Sequence, residues 1–293
     1  MMKWLIQDVG IHFQNIELIF KALKKLNYSF EAFGLIPFTQ EITNLENILT
    51  NPNDSYIIRG GTKILSIFEK IHHLSETNSN LTREQIELSD IFLTQLKKGI
   101  FYQKEHFDQN FYQKLDLPLL NQDAQFYKVS DVLNTQFNEL LFIKPSSDQK
   151  AFQAGLLDSD TTIQQFIQSS PFQPFYLEET VLVAKPKTIL EEYRFFIVEQ
   201  KIVGESLYNV KGHVTVHPHV PKDIHSAAEE YLLLYQPHDA FVMDLARTPD
   251  GIFIVEYNCL NASGFYACDV ENIVQKLQQF QMQKELSLKK LKY

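Results

Sequence analysis

The first third of the chain alternates between strand-like and helix-like hydrophobic patterns. The mostly apolar runs at 3–9, 28–38 and 56–58 predict three short strands. Between the first two, residues 15–26 carry apolar side chains at helical spacing, namely Ile16, Ile19, Phe20, Leu23 and Leu26. The order strand, helix, strand, strand predicts a small α/β layer domain.

The remainder of the chain is richer in strand-like segments. Strands are predicted at 140–144, 175–179 and 181–184, a hairpin at 193–198 and 201–208, and helices at 224–235 and 270–286. The polar stretch Asn121-Gln122-Asp123 resembles a linker. It indicates a boundary that divides the chain into a domain at 1–122 and a second at 123–293.

A further predicted hairpin, residues 239–258, carries the most informative polar side chains. Thr248-Pro249-Asp250-Gly251 favours a turn, because Pro presets φ and Gly accepts a positive φ. We expect a three-residue loop of Pro249, Asp250 and Gly251, closed by a glycine bulge. That loop pairs Thr248 with Ile252, Ala246 with Ile254, Asp244 with Glu256, and Val242 with Asn258. A two-residue loop would break this register and place the two acids on different faces.

In the expected register, Asp244, Glu256 and Asn258 share one face of the hairpin. The two carboxylates lie directly opposite each other, with Cβ atoms about 5 Å apart. Because like charges repel, we interpret the trio as ligands of a hard cation such as Mg²⁺, which takes oxygen ligands. Most other residues on both faces are apolar, so we expect the acids to lie in a cleft. The alternative is a hairpin with one solvated face.

Lysine and arginine residues on two other strands suit an anionic ligand. Lys144 ends an apolar strand and Lys150 lies on the loop after it, a pattern that suits a chain of phosphates. A strand-end lysine that reaches solvent is the alternative. Arg194 lies within a predicted strand, where an unpaired guanidinium is costly, so we expect Glu192 or a ligand anion to be its partner.

Composition limits the class of protein. The 293 residues suggest two domains, or one domain with lobes, and 44% hydrophobic with 22% charged residues is ordinary for a globular protein. The formal net charge of −9 argues against a surface that coats nucleic acid. The two cysteines, Cys259 and Cys268, do not complete a zinc site, and we see no secretory or membrane-spanning run. We expect a cytoplasmic protein.

Together these motifs resemble the ATP-grasp superfamily, in particular the clade named for one arginine and two lysines. The resemblance rests on Ile143-Lys144-Pro145 with Lys150 beyond it, Glu192-Tyr193-Arg194-Phe195, and Asp244 followed by Glu256-x-Asn258. The Tyr56–Gly60 run is similar to the α/β domain that precedes the ATP-grasp fold in that clade. The resemblance implies an α+β fold in which two lobes, roughly 123–187 and 188–293, clamp ATP.

The resemblance also implies roles for individual residues. Lys144 and Lys150 would bind the phosphates, with Lys211 an alternative for the second lysine. Arg194 would lie over the phosphate chain or the reacting carboxylate. Backbone groups near Val183 and Ala184 would meet the adenine, and Glu191 or Glu192 the ribose. Asp244, Glu256 and Asn258 would hold Mg²⁺, in agreement with the register argument.

The function implied is an Mg-ATP-dependent ligase that activates a carboxylate as an acyl phosphate and joins it to an amine or another nucleophile. The alternatives are a phosphotransferase on the same fold, a nucleotide-binding protein without turnover, and a metal-dependent hydrolase that needs no ATP. We expect the domain 1–122 and the loop 261–266 to contact a small-molecule or peptide substrate. The oligomeric state stays open.

Overall fold

The amino-terminal part of the chain is a parallel sheet with helices packed on it. The computed structural model describes residues 1–9, 16–34, 43, 51, 53–60, 83–171 and 176–290. Strands β1 (Met2–Val9), β2 (Phe30–Gly34) and β3 (Ser55–Arg59) form a sheet of order β2-β1-β3, with both pairs parallel. The α/β prediction is therefore confirmed, although residues 35–38 of the predicted second strand lie outside the described residues.

Two helices pack on the amino-terminal strands. Helix α1 (Ile16–Lys25) buries the face that carries Ile19, Ala22 and Leu23, as its helical spacing predicts. Helix α2 (Arg83–Lys98) contacts β3. A 3₁₀ turn (Lys104–Phe107) and the short helix α3 (Gln109–Tyr112) then lead the chain to the second sheet.

The second sheet has four antiparallel strands in the order β4-β7-β5-β6. Its strands are β4 (Gln125–Lys128), β5 (Leu141–Pro145), β6 (Gly155–Leu157) and β7 (Thr180–Ala184), accompanied by helices α4 (Val129–Val132) and α5 (Ile163–Gln168). The prediction of a strand at 175–179 is wrong, because Tyr176–Glu178 forms a 3₁₀ turn. This turn brings the chain back to β7, and the carbonyl oxygen of Glu179 accepts the backbone N–H of Val129, 3.0 Å away.

The third sheet has five antiparallel strands in the order β10-β9-β8-β11-β12. These strands are β8 (Glu191–Val198), β9 (Lys201–Val210), β10 (His213–His217), β11 (Ala240–Thr248) and β12 (Gly251–Asn258). The predicted β8–β9 hairpin is confirmed. Its turn residues Glu199 and Gln200 have φ of 48° and 61°, as a tight hairpin turn that follows the strand twist requires.

Two apolar cores cover opposite faces of the third sheet. Helix α6 (Lys222–Leu234) packs on one face through Ile224, Ala228 and Leu232. Helix α7 (Val270–Lys290) packs on the other and also contacts α1, so this core continues into the amino-terminal sheet. Within the described residues, no helix is both long and apolar enough to cross a membrane.

The β11–β12 hairpin places its two acids opposite each other as predicted, but its loop length and register differ from the prediction. Thr248 pairs with Gly251 rather than with Ile252, so the loop has two residues, and Gly251 has a φ of 146°. The expected three-residue loop is therefore wrong. Asp244 nevertheless pairs with Glu256, because a register shift beyond Asp244 leaves Val255 as an extra residue.

This bulge changes which apolar residues accompany the acids. Leu245 pairs with Ile254, and both lie in the core under α6. The expected pairing of Ala246 with Ile254 is wrong, and Ala246 pairs with Phe253 instead. Val242 pairs with Asn258 as expected. The shift thus cancels the effect of the shorter loop and confirms the part of the register that concerns the polar trio.

Candidate active site between the second and third sheets

A lysine from the second sheet meets a glutamate from the third. Lys144 lies near the end of β5 and Glu256 near the end of β12. The Lys144 Nζ is 2.7 Å from the Glu256 Oε2, and the two side chains are 9% and 28% exposed. Because each strand belongs to a different sheet, this ion pair marks a cleft between them.

Glu256 remains ionised despite its surroundings. Burial by itself would raise the pKa of this carboxyl, yet the charges of Lys144, Lys150 and Arg194 and the hydrogen bond from Lys144 lower the pKa to about 2. The carboxylate is therefore negative across the physiological pH range. A partly buried anion among three cations is a suitable ligand for a metal ion or a partner for a cationic group.

Arg194 forms a two-point contact with Asp244, the residue directly opposite it on β11. The Arg194 Nε donates to Asp244 Oδ1 at 2.8 Å, and Nη2 donates to Oδ2 at 2.7 Å. The protein partner of Arg194 is therefore Asp244 and not the expected Glu192. Burial favours the neutral form of Arg194, but the carboxylate of Asp244 overrides it and raises the pKa of the guanidinium.

Asn258 completes the polar face. Its Nδ2 donates to Asp244 Oδ2 at 3.1 Å, which leaves the side-chain oxygen of Asn258 available for another contact. Glu256, Asp244 and Asn258 are thus neighbours, as the register predicts. Among the described residues, no group of three or more His, Cys, Asp and Glu residues is placed to hold a metal ion. The trio itself offers two carboxylates and one amide oxygen, an oxygen set that fits the chemistry of Mg²⁺.

Aromatic rings surround the Arg194 guanidinium. The rings of Tyr208 and Tyr266 stack 4.8 Å apart, and the Arg194 Cζ lies 5.5 Å and 5.0 Å from their centroids. Tyr266 has a φ of 51°, which is uncommon for a bulky side chain. The Tyr208 hydroxyl donates to Glu192 Oε2 at 2.8 Å. These contacts fix the position of the buried Arg194 guanidinium.

Two adjoining cavities open on the Lys144–Glu256 pair. The first, about 360 Å³, is largely apolar, and polar side chains of Glu192 and Tyr208 contribute to its wall; its apolar lining includes Leu120, Phe142, Leu156, Ile189 and Val255. The second, about 400 Å³, is lined by Lys150 and Asp148 as well as by the pair itself. One cavity thus suits a flat apolar group and the other a charged one.

Glu191 and Glu192, which the sequence leaves as alternatives, point to different sides of β8. Glu191 accepts hydrogen bonds from Tyr193 at 2.7 Å and from Arg247 at 2.9 Å, away from the cleft. Glu192 lines the apolar cavity. Burial raises the pKa of Glu192, while its hydrogen bond from Tyr208 acts in the opposite direction. Of the two, Glu192 is the one placed to contact a ligand there.

The remaining residues suggested by the sequence lie farther from the cavities. Val183 and Ala184 are buried in β7 and pair with β5, whereas the wall of the apolar cavity begins two residues later, at Pro186. Lys211 occupies the β9–β10 turn with a φ of 50°. Its exposed side chain lines neither cavity, whereas Lys150 lines the polar one.

The loop after β5 contains two site residues that the sequence pattern did not reveal. Ser147 donates to Glu179 Oε2 at 2.7 Å, and Asp148 Oδ2 accepts the backbone N–H of Cys259 at 2.8 Å. Burial raises the pKa of Asp148 to about 7, although Lys150 and the Cys259 N–H act against it. A single acid in a polar loop gives no periodic signal, so only the folded structure identifies it.

The loop after β12 is tied to the amino-terminal sheet. The Asn261 side chain accepts the backbone N–H of Phe101 at 2.7 Å and donates to the carbonyl oxygen of Gly99 at 2.9 Å. Arg59, at the end of β3, donates to the carbonyl oxygens of Leu260 at 3.1 Å and Asn261 at 2.7 Å. Arg59 of the amino-terminal sheet therefore holds the first residues of the loop that follows β12.

The chain belongs to an ATP-grasp domain family, the third family of the clade named for one arginine and two lysines, whose model matches residues 83–277. The family resemblance of the sequence motifs is thus confirmed. The matched region includes both sheets that border the cleft, together with helix α2. No curated protein matches the chain by sequence at a significant level.

Solved structures with the same fold include several ligases. A D-alanine–D-alanine ligase from Bacillus anthracis complexed with ATP aligns with a TM-score of 0.58 at 13% identity, covering 98% of this chain and 99% of its own. The ATP-grasp ligase PsnB, complexed with a minimal precursor, has a TM-score of 0.53 at 10% identity, with coverages of 96% and 98%. A RimK domain ATP-grasp protein from Sphaerobacter thermophilus has a TM-score of 0.50 at 10% identity, with coverages of 94% and 99%. The likeness confirms the α+β ATP-grasp fold.

Proposed function

We propose that this protein is an Mg-ATP-dependent ligase that activates a carboxylate as an acyl phosphate and joins it to an amine or another nucleophile. The observation that carries the proposal is the meeting of Lys144 with Glu256, beside Arg194 and Asp244, in the cleft between two sheets. Membership in an ATP-grasp family supports a nucleotide as the ligand of this cleft.

The two cavities suggest how the nucleotide binds. The adenine occupies the apolar cavity, where the backbone after Val183 and Ala184 meets its edge and Glu192 accepts a hydrogen bond from the ribose. The phosphates extend into the polar cavity toward Lys144 and Lys150, whose charges offset theirs. Lys211 is the weaker alternative for the second lysine, since it lines neither cavity.

Glu256, Asp244 and Asn258 would hold Mg²⁺. A bound Mg²⁺ would supply positive charge that offsets the charge developing on the phosphates, and these three side chains would supply oxygen ligands for it. Glu256 offers an ionised and partly exposed carboxylate, and Asn258 offers its side-chain oxygen. Asp244 has one lone pair left on Oδ1 beyond its bond from Arg194 and also keeps the guanidinium in place.

The reaction needs positioning and charge neutralisation rather than a protein nucleophile. A substrate carboxylate oxygen attacks the γ-phosphorus, the bond to the β-phosphate oxygen breaks, and ADP leaves. An amine then attacks the acyl carbon, loses a proton, and displaces inorganic phosphate. Lys144 and Lys150 hold the phosphates during the first step, and Arg194 lies where the acyl phosphate forms.

The acceptor site lies, in this proposal, against residues 261–266 and the amino-terminal domain 1–122. That domain supports the loop through Arg59, and Tyr266 brings the loop to Arg194. The PsnB structure contains a minimal precursor, and the protein from Bacillus anthracis is a D-alanine–D-alanine ligase, so peptides and small amino acids are the first candidate substrates. We infer a cytoplasmic enzyme, in keeping with its use of ATP.

Thermal unfolding with and without ATP and Mg²⁺ tests the proposal. A ligand at about 100 times its dissociation constant stabilises the folded state by about 2.7 kcal/mol. For a chain of this size, that corresponds to roughly 5–10 °C in Tm. We expect the shift to require both ATP and Mg²⁺ in the wild type and to be lost in Glu256→Gln.

Glu139→Gln is the matched control, because Glu139 is exposed and outside the cleft. It should keep the full shift. A shift with metal alone would favour a hydrolase, and no shift under any condition would contradict nucleotide binding. With candidate carboxylates and amines, mass spectrometry then separates a ligated product from a stable phosphorylated one, which would indicate a phosphotransferase.

A further inference from the structure

Asp148 is an anomaly in the polar cavity. Its carboxyl group lines the same wall as Lys144 and Lys150, where a second acid beside Glu256 opposes the binding of an anion. An acid at this position is therefore electrostatically unfavourable in a site that binds phosphates. A contact through which Asp148 stabilises the site would offset this electrostatic repulsion.

That contact joins the two sheets. Asp148 follows β5 of the second sheet, and its Oδ2 accepts the backbone N–H of Cys259 at 2.8 Å. Cys259 directly follows Asn258, the last residue of β12 in the third sheet, and is fully buried. A buried N–H without a partner is costly, so the carboxyl group stabilises this backbone in one position.

The loop that carries Asp148 is itself anchored on the second sheet. The Ser146 N–H donates to the carbonyl oxygen of Thr180 at 2.9 Å, and its carbonyl oxygen accepts the Gln109 N–H at 2.9 Å. Ser147 donates to the buried carboxylate of Glu179. These hydrogen bonds fix the Asp148 side chain relative to the second sheet. The hydrogen bond from the Cys259 N–H then fixes the end of β12 relative to the same sheet.

We propose that Asp148 is a positioning residue that holds the metal-binding end of β12, with Glu256 and Asn258, in register with the phosphate-binding end of β5. The proposal rests on the function proposed above. A misplacement of about 1 Å can cost about a hundredfold in rate, so a single well-placed hydrogen bond has a large effect at this point. The role needs an acceptor oxygen but not a negative charge.

Because the role needs an acceptor oxygen but no charge, Asp148→Asn and Asp148→Ala should have different effects. Asparagine keeps an acceptor oxygen for the Cys259 N–H, whereas alanine removes it. We expect the Mg²⁺ concentration that half-saturates binding of a non-hydrolysable ATP analogue to rise about tenfold or more in Asp148→Ala. It should stay within about twofold of wild type in Asp148→Asn and in the control Asp158→Ala, which removes an exposed acid of the same lobe.

Hydrogen exchange supplies a readout that does not depend on the nucleotide. The Cys259 amide should exchange slowly in the wild type and in Asp148→Asn, and quickly in Asp148→Ala. Slow exchange in Asp148→Ala, or an Mg²⁺ requirement in Asp148→Asn as high as in Asp148→Ala, would overturn the proposal. A different outcome is that the wild type binds no nucleotide while Cys259 exchange follows the expected order. The hydrogen bond between Asp148 and Cys259 would then be established, but the proposed function and the metal-positioning role of Asp148 would both fail.

Discussion

The cleft contains two ion pairs that differ in construction. Arg194 and Asp244 lie on neighbouring strands of one sheet, make two hydrogen bonds, and are 8% and 1% exposed. Lys144 and Glu256 come from different sheets, make one hydrogen bond, and are 9% and 28% exposed beside two cavities. We call them the inner pair and the outer pair.

The difference in burial between the two pairs indicates which charged groups can exchange partners when a ligand binds. Separating the inner pair would leave two buried charges with only neutral partners, Asn258 at Asp244 and the Gly264 carbonyl at Arg194, which is strongly unfavourable. The outer pair faces the cavities, where an anion can replace Glu256 at Lys144 and a cation can replace Lys144 at Glu256. We therefore expect the inner pair to act as the scaffold of the proposed ligand site and to stay paired when a ligand binds, and the outer pair to exchange its partners for the ligand.

Removing the acid of the inner pair should produce the largest loss of stability. Asp244→Ala leaves the Arg194 guanidinium buried without its carboxylate, so we expect the free energy of unfolding to fall by about 3–5 kcal/mol. Urea unfolding measures this change. The control is Asp239→Ala, which breaks an exposed pair with Lys284 and should cost about 0–1 kcal/mol. Similar losses in both variants would contradict the scaffold role.

Removing the lysine of the outer pair should affect binding more than folding. Lys144→Ala would delete the proposed charge-assisted contact to phosphate, and such contacts are worth about 1.5–3 kcal/mol, so ATP affinity should fall roughly 10–100-fold. The partly exposed Glu256 stays solvated and the chain stays folded. Titration calorimetry with ATP and Mg²⁺ measures the affinity, and an unchanged dissociation constant would assign Lys144 to a structural role.

The two candidates for the second lysine can be separated by one comparison. Lys150→Ala should weaken ATP binding about tenfold, since Lys150 lines the polar cavity next to the outer pair. Lys211→Ala should change it by less than about twofold, because that side chain is exposed on a turn that borders neither cavity. The same calorimetry serves both variants. The reverse order would move the phosphate site toward the β9–β10 turn.

The acids of the cleft should respond to pH with opposite signs. The pKa of Asp148 is raised to about 7, so its contribution to stability is present below its unfolded pKa of about 3.9 and is lost as pH rises through 7. The pKa of Glu256 is lowered to about 2, so its contribution is lost only as pH falls from about 4.3 toward 2.

Urea unfolding between pH 4 and pH 8 isolates the Asp148 effect. Asp148→Asn cannot ionise, so its stability relative to the wild type should rise with pH by up to about 4 kcal/mol, since each unit of pKa shift is worth about 1.4 kcal/mol. Asp158→Ala, which removes an exposed acid of the same lobe, is the control in the same measurement. A flat difference for Asp148→Asn would show that Asp148 titrates normally.

The hairpin β11–β12 shows how far sequence reasoning reaches. The period of two and the turn residues predicted Asp244 opposite Glu256, and that pairing is confirmed. The loop length was wrong, and the error was cancelled by the register shift at Val255. Local sequence favours several turn types of similar energy, and the packing of Ile254 beside Leu245 in the core selects among them.

The sequence alone determined most strands of both sheets at the cleft, the ATP-grasp family, and the residue types suited to a metal and phosphates. These follow from periodicity and motif order, which are local properties. Only the tertiary structure decided that Arg194 pairs with Asp244, that Glu192 faces the apolar cavity, and that Asp148 reaches Cys259. Such contacts join residues far apart in the chain, and burial, rather than local pattern, determines which donor each acid accepts.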